Sequence, residues 1–282
     1  MGSWLSTTNR NSLGLEAALA AMRKLLDRYF NRNPRLRRFV TKLLEGDHDL
    51  TVQLFTAEVR VNSVKEHGYL RASRLTRMSS LLRDEVPVLQ TLAYFMGGAD
   101  SFVDIGANVG VYCALLAKFR RLHPMPFYAF EANPDTYRRL VETVARIGVE
   151  TFDCAVSDHE GTLYFVPGAV SHVFTTVDKN SRYSLPVQPV RVPCRRLDSF
   201  PIRGGRMIVK IDVEGQEFQV LEGMTAFFDQ TRVFVCYIDG FEDPAVPLFL
   251  RDRGFSLFDG RSLEERPKGD CYSLLAVQRE AI

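Results

Sequence analysis

The sequence lacks the features that mark membrane-spanning, secreted or disulfide-bonded proteins. No apolar run approaches the roughly 20 residues of a membrane-spanning helix, and the first residues lack the apolar segment of a signal peptide. The five cysteines are odd in number and far apart, namely Cys113, Cys154, Cys194, Cys236 and Cys271. This spacing predicts reduced, packed thiols rather than a disulfide framework or a zinc site. We therefore expect a cytoplasmic protein.

The sequence also lacks an overall excess of one charge, because 36 Lys and Arg residues face 34 Asp and Glu residues. A nearly neutral chain gives no reason to expect a nucleic-acid partner. Residues 1–45 are the exception, with nine basic and three acidic side chains. Within them, residues 13–30 have apolar side chains at helical spacing and basic ones opposite, which predicts an amphipathic helix. Such a helix packs on its own domain, or contacts an anionic membrane face or a glycan-assembly partner.

The composition, 46% hydrophobic and 25% charged, is typical of a globular protein with a substantial core. Before residue 96 the pattern predicts a second helix over residues 35–45, a hairpin within residues 50–61 and a helix over residues 86–96. We therefore assign residues 1–95 to an N-terminal helical extension with a short hairpin, and residues 96–282 to the main domain.

From residue 101, predicted strands and helices alternate. The strands cover residues 101–104, 126–131, 149–156, 206–213 and 232–238. Alternation of this kind predicts a doubly wound, mostly parallel α/β sheet that binds ligands at the carboxyl ends of its strands. Residues 255–258 and 272–277 are predicted to close the sheet as an antiparallel hairpin. Residues 158–197, with four prolines, are predicted to be an insertion of strands and loops over the site.

The first chemical motif lies between a predicted strand and a predicted helix. It reads Asp104-Ile105-Gly106-Ala107-Asn108-Val109-Gly110. Its glycines allow a sharp turn and a close approach to a ligand, and the following helix offers free amide groups. The next strand ends at Glu131, 21 residues after Gly110, where an acid receives ribose hydroxyls. We therefore predict that this turn and Glu131 bind a nucleotide-like cofactor.

The spacing of the glycines separates two cofactors. Dinucleotide sites need Gly-x-Gly-x-x-Gly, whereas here an acid precedes the first glycine by two positions and three residues separate the glycines. S-adenosylmethionine carries an ammonium and a sulfonium group, which a carboxylate attracts, so Asp104 favours this cofactor. An NAD(P)-dependent oxidoreductase and a non-catalytic S-adenosylmethionine-binding adapter are the two alternatives.

The second motif is Lys210-Ile211-Asp212-Val213-Glu214-Gly215, on a strand expected beside the first. While the chain stays extended, Asp212 and Glu214 point to one face. Carboxylates there orient an acceptor, take its proton or hold a divalent cation. We predict Asp212 as the base or metal ligand, with Glu214 and Lys210 positioning the acceptor. The alternative is a charged strand end that caps the next helix, with Glu217 as a solvated helix residue.

Two histidines in the predicted insertion are further candidates for the general base. His172 is the better one, because it lies in a polar stretch, whereas His159 belongs to a turn. For either residue, an exposed or packed histidine without a catalytic role is the competing interpretation.

Four segments together resemble the FkbM family of methyltransferases in order and approximate spacing. They are Phe-Val-Asp-Ile-Gly-Ala-Asn-Val-Gly at 102–110, Tyr-Ala-Phe-Glu-Ala-Asn-Pro at 128–134, Ala-Val-Ser-Asp at 155–158 and Val-Lys-Ile-Asp-Val-Glu-Gly-Gln-Glu at 209–217. The resemblance covers roughly residues 100 to 240. It implies a class I, Rossmann-like methyltransferase fold, S-adenosylmethionine as donor, and O-methylation of a sugar or polyketide hydroxyl.

The resemblance also implies positions for the cofactor. The residues that it places at the methionine end are Asp104, Gly106, Asn108 and Gly110. It places the ribose at Glu131 and the adenine beside Asp153, Cys154 and Ala155. Ala132 departs from the proline that is common in the family, and this change leaves the neighbouring acid in place.

Overall fold

The computed structural model describes residues 33–74, 80–121, 124–167, 174–176, 189–265 and 271–279. The helix predicted over residues 13–30, and His172, lie outside this described part. The chain divides into two compact units, Met1–His48 and Asp49–Ile282. Among the described residues, no helix combines the length and the apolar character that crossing a membrane requires.

The first unit contains the helix α1 (Pro34–Glu45). The side chain of Asn33 accepts a hydrogen bond from the backbone amide of Leu36, at 3.1 Å. Asparagine before the helix and proline in its first turn both favour a helix start. The helix predicted over residues 35–45 is therefore confirmed.

The second unit alternates helices and strands. Its helices are α2 (His67–Arg74), α3 (Ser80–Phe95), α4 (Val111–Leu116), α5 (Pro134–Val144), α6 (Glu217–Glu222), α7 (Thr225–Asp229) and α8 (Ala245–Asp252). Its strands are β1 (Asp49–Leu54), β2 (Ala57–Asn62), β3 (Ser101–Ile105), β4 (Phe127–Phe130), β5 (Val149–Phe152), β6 (Ala155–Val156), β7 (Gly161–Pro167), β8 (Phe174–Thr176), β9 (Val190–Arg195), β10 (Met207–Ile211), β11 (Val233–Asp239), β12 (Phe255–Asp259) and β13 (Ser273–Gln278).

A seven-stranded sheet in the order β12-β13-β11-β10-β3-β4-β5 forms the centre of this unit. The strands β11, β10, β3, β4 and β5 are parallel, and β13 is antiparallel to both of its neighbours. The predicted doubly wound, Rossmann-like α/β sheet with a closing antiparallel hairpin is confirmed. Its central strands are buried throughout, because helices cover both faces.

Alternate residues of the central strands face two different cores. Phe102 belongs to the core that includes Val88 and Leu92 of α3, whereas Val103 belongs to the core that includes Leu221 of α6. Side chains two apart in a strand therefore lie on the same face of the sheet. The same alternation decides which polar side chains meet at the carboxyl edge of the sheet.

The strand predicted over residues 149–156 is wrong in one respect, since it forms two strands in two sheets. β5 pairs with β4 in the central sheet, whereas β6 pairs with β9 in a four-stranded sheet of order β6-β9-β7-β8. The chain leaves the extended conformation at Asp153 and Cys154 and changes sheet there. The strands of the predicted insertion therefore form, together with β6, a second sheet that is separate from the central one.

The hairpin β1-β2 is confirmed as an antiparallel pair and packs against the sheet's helices. Val59 and Val61 share a core with Val111 and Ala114 of α4. The domain boundary suggested near residue 95 stays a prediction, but the hairpin before it shares this core with the main domain.

A buried ion pair fastens the segment after β2 to α5. Arg139 donates to Glu66 Oε1 at 2.8 Å, and both side chains are 1% exposed. The other oxygen of Glu66 accepts the backbone amide of Asn62 at 2.5 Å. The pair therefore joins elements that lie far apart in sequence.

Replacing Arg139 by lysine is expected to lower the free energy of unfolding by about 1.5–3 kcal/mol, because a charge-assisted hydrogen bond is lost while the charge remains. Urea denaturation monitored by circular dichroism measures the change. The matched control is Arg138→Lys, since Arg138 is 59% exposed and pairs with Asp49 at the surface. Its change should stay within about 1 kcal/mol, and equal losses in both variants would contradict the structural role of Arg139.

Candidate active site

The turn after β3 approaches the end of β10 very closely. Gly106 has φ 75° and Gly110 has φ 83°, a region that favours glycine. A Cβ atom at Gly106 would overlap the carbonyl oxygen of Asp212. The amides of Gly106 and Ala107 donate to the carbonyl of Phe130, at 3.0 and 2.9 Å. The predicted strand-turn-helix motif therefore forms, and it is anchored to both neighbouring strands.

Glu131, at the end of β4, faces the same turn. Its Oε2 accepts the amide of Asn108 at 2.9 Å, and its Oε1 accepts the amide of Asn133 at 2.8 Å. Burial raises the pKa of Glu131 to about 7, although both amide hydrogen bonds lower it. Each carboxylate oxygen keeps a lone pair for a further donor.

A cleft runs along the carboxyl edge between this turn and the β6-β9-β7-β8 sheet. Seven of the predicted site residues line it, namely Gly106, Asn108, Glu131, Cys154, Ala155, Asp212 and Glu214. Most of the remaining wall is apolar and comes from Ile105, Phe130, Val156, Leu163, Phe165 and Val213. The predicted residues that are not among those that line it include Asp104, Ala107, Gly110, Asp153 and Lys210.

Lys210 is buried beneath the cleft between two carboxylates. Its Nζ lies 3.2 Å from Asp104 Oδ1 and 3.5 Å from Asp212 Oδ2, and it donates to the carbonyl of Gly106 at 3.3 Å. It also lies 4.9 Å from the centre of the Tyr112 ring. Burial alone would lower the pKa of Lys210, but Asp104 and Asp212 raise it above its ordinary value. Lys210 therefore stays charged, and its ammonium group holds the Asp212 carboxylate in place.

Asp104 is the second partner of this buried lysine. Its side chain is fully buried, and its other oxygen lies 3.6 Å from the thiol of Cys113. Asp104 therefore pairs with Lys210, and its role at the methionine end of the cofactor stays a prediction. Lys210 is likewise not among the residues that line the cleft, and its role in positioning the acceptor stays a prediction.

Asp212 and Glu214 both line the cleft, but for a different reason than predicted. β10 ends at Ile211, and Glu214 has φ 53°, so the chain is not extended between the two acids. Gly215, with φ 96°, continues the turn that leads into α6. The Asp212 side chain is 39% exposed, and burial raises the pKa of Glu214 to about 7, with Asp212 adding to the shift.

Several polar residues near this edge were missed or misread in the sequence. Glu217 is buried and accepts the amide of Gly215 at 2.8 Å, so the interpretation of a solvated Glu217 is wrong. The Tyr112 hydroxyl donates to Glu85, whose pKa burial raises to about 7. Asp239, the last residue of β11, was missed, although an acid at the end of a predicted strand is a signal that could have identified it.

The remaining candidates lie elsewhere. The Nδ1 of His159 lies 2.6 Å from Asp158 Oδ1 and its Nε2 lies 3.5 Å from the sulfur of Cys194, and His159 is not among the residues that line the cleft. All five cysteines carry free thiols, and four of them are buried. In the part of the chain that the structure describes, no three His, Cys, Asp or Glu residues are grouped so that they could hold a metal ion.

Comparison with known proteins finds a matching protein family. Residues 104–257, more than half of the chain, match the family model described as the methyltransferase FkbM domain. Hexuronic acid methyltransferase AglP of Haloferax volcanii is 26% identical over 196 residues, which cover 67% of this chain and 73% of the relative. Methyltransferase sdnD of Sordaria araneosa is 28% identical over 219 residues, which cover 63% and 81%.

A solved structure is similar as well. The crystal structure of a methyltransferase FkbM from Methylobacillus flagellatus KT aligns with a TM-score of 0.43 and 14% identity. The alignment covers 69% of this chain and 59% of that chain.

Proposed function

Because the chain belongs to the FkbM methyltransferase family, we propose that it transfers the methyl group of S-adenosylmethionine to a hydroxyl of a glycan or a related hydroxylated metabolite. Membership makes the chain an S-adenosylmethionine-dependent methyltransferase and removes the oxidoreductase alternative. The acceptor and the oxygen specificity are the proposed part. The relative named hexuronic acid methyltransferase supports a sugar acceptor.

The cleft residues fit the donor. Gly106, which has only backbone atoms, lines the cleft. Glu131 offers acceptor positions for ribose hydroxyls, and the wall near Phe130 and Val156 suits an adenine ring. When bound, S-adenosylmethionine supplies a methyl group that its sulfonium activates for displacement.

The single observation that carries the proposal is Asp212, a half-exposed carboxylate in the cleft with Lys210 fixed behind it. A sugar hydroxyl is a weak nucleophile at neutral pH, so a base assists as its proton leaves. In our proposal, Asp212 accepts that proton, and Glu214, in the same cleft, orients the acceptor. Alignment of the acceptor oxygen and exclusion of water supply the rest of the rate.

The test is incubation of the protein with isotope-labelled S-adenosylmethionine and fractionated glycans, lipids and small metabolites, read by mass spectrometry. We expect the label on an oxygen of a glycan fraction. Label found only on nitrogen or carbon would contradict O-methylation. A parallel incubation with chelator tests a divalent cation, for which the described residues supply no ligand cluster and through which we derive no step.

The affinity for S-adenosylmethionine is expected to fall as the pH drops below about 7, the pKa of Glu131. Protonation removes acceptor positions from the carboxylate that receives the ribose, so the loss reaches up to about tenfold per pH unit. Calorimetric titrations between pH 5.5 and 8.5 measure this loss, because the range extends at least about one pH unit to either side of that pKa. The control variants separate the two acids: Glu131→Gln should remove the pH dependence, whereas Glu214→Gln should keep it. The same slope in both variants would contradict the assignment.

The proposal also includes where the protein acts in the cell and which macromolecules it contacts. α1 carries Arg35, Arg38 and Lys42 together with the exposed side chains of Phe39 and Leu43. Cationic and exposed apolar side chains on one helix support contact with an anionic membrane face or a glycan-assembly partner.

A further inference from the structure

Asp239 stands beside Asp212 at the carboxyl edge of the sheet. β10 and β11 are parallel neighbours, with Ile211 opposite Ile238. Asp212 directly follows the end of β10 and Asp239 is the last residue of β11, so this register brings the two residues next to each other. Neighbouring strands are about 4.8 Å apart, which sets the scale of the separation between the two acids.

The two carboxylates also lie on the same face of the sheet. Lys210 and Tyr237 are opposite each other in the register of β10 and β11. Lys210 contacts Asp212 at 3.5 Å, and the Tyr237 hydroxyl donates to Asp239 Oδ1 at 2.9 Å. Each acid is thus held by the residue two positions before it, on one common side.

The environment of Asp239 leaves it capable of binding a ligand. Its side chain is 22% exposed, and the nearest guanidinium nitrogen of Arg261 is 3.9 Å away, too far for a hydrogen bond. Tyr237 uses one of about four acceptor positions of the carboxylate. Tyr272, 64% exposed, stands beside this edge with Arg261 above its ring, and its carbonyl accepts the amide of Gly240.

We propose that Asp239 is an acceptor-binding residue, and that Asp212 and Asp239 bind adjacent hydroxyl groups of one polyhydroxylated acceptor. This inference rests on the proposed function. Asp212 takes the proton of the hydroxyl that is methylated, and Asp239 accepts a hydrogen bond from the hydroxyl on the next carbon. Two acids on neighbouring strands, each reaching about 2.7 Å to a hydroxyl oxygen, match a vicinal diol, whereas an isolated hydroxyl engages only one of them.

Two matched probes test the pairing without turnover, namely trans-1,2-cyclohexanediol and cyclohexanol. Their binding to the full chain, saturated with S-adenosylhomocysteine, is measured by saturation-transfer NMR. We expect the wild type to bind the diol about tenfold or more tightly than the alcohol, because a hydrogen bond to a charged group is gained. Asp239→Ala should remove this preference, and Asp239→Asn, which keeps one acceptor oxygen, should retain part of it.

The control is Asp252→Ala, at an exposed carboxylate on α8, which should behave as the wild type. Equal affinity for S-adenosylmethionine in all variants shows that the fold is intact. A diol preference that persists in Asp239→Ala, or no preference in the wild type, overturns the inference. Absence of methyl transfer to every fraction would instead overturn the proposed function, so the two failures are distinguishable.

Discussion

Replacing Asp212 by asparagine is expected to lower kcat by about 10²- to 10⁴-fold, the range that a general base contributes. Asparagine keeps the size of the side chain but cannot accept a proton from the acceptor hydroxyl at neutral pH. Because the donor contacts that we assign involve Glu131 and the Gly106 turn, the affinity for S-adenosylmethionine should change by less than about tenfold. Single-turnover methylation of the acceptor fraction and calorimetric titration of the donor measure the two quantities.

The outcome separates a chemical role from a merely structural one. Glu214→Gln, in the same cleft, should raise the KM for the acceptor more than it lowers kcat, because an orienting side chain contributes to binding. Asp252→Asn on α8 should leave both unchanged. Undiminished turnover in Asp212→Asn would exclude Asp212 as the base. An equal fall in donor affinity would instead assign it to the donor site.

The parts of the site that follow from local chain geometry could be predicted from the sequence. The turn from Gly106 to Gly110 depends on positive φ angles, which its glycines indicate. It also depends on the strand before it, which the apolar residues of that strand indicate. Glu131 was found because it ends the next strand. The mostly parallel sheet could be predicted from the alternation of strands and helices.

Long-range contacts could not be predicted in the same way. The pairing of Asp104 with Lys210 could not be predicted, because Lys210 lies more than 100 residues away, opposite Asp104 in the register of β3 and β10. The common face of Asp212 and Glu214 depended on an extended chain, which the turn at Glu214 and Gly215 ends. Asp239 needed the pairing of β10 with β11 to bring it beside Asp212.

The ion pair of Lys210 links stability to function, and its loss is the second large effect expected. In Lys210→Met, the fully buried Asp104 carboxylate loses its partner. Breaking a buried pair from one side costs about 3–5 kcal/mol, because the remaining charge is uncompensated. Urea denaturation should show this fall in the free energy of unfolding, whereas Lys118→Met, at an exposed lysine, should change it by less than about 0.5 kcal/mol.

A second substitution tests the cause. In Lys210→Met/Asp104→Asn, the buried charge is gone, so a large part of the lost stability should return. Turnover should stay low in the double variant, because Asp212 still lacks the ammonium group that lies 3.5 Å from its carboxylate. Recovery of stability without recovery of turnover would assign Asp104 to holding Lys210, and Lys210 to presenting Asp212. If the double variant is no more stable than Lys210→Met, the loss comes from packing around Tyr112 instead, and the electrostatic account of the pair is wrong.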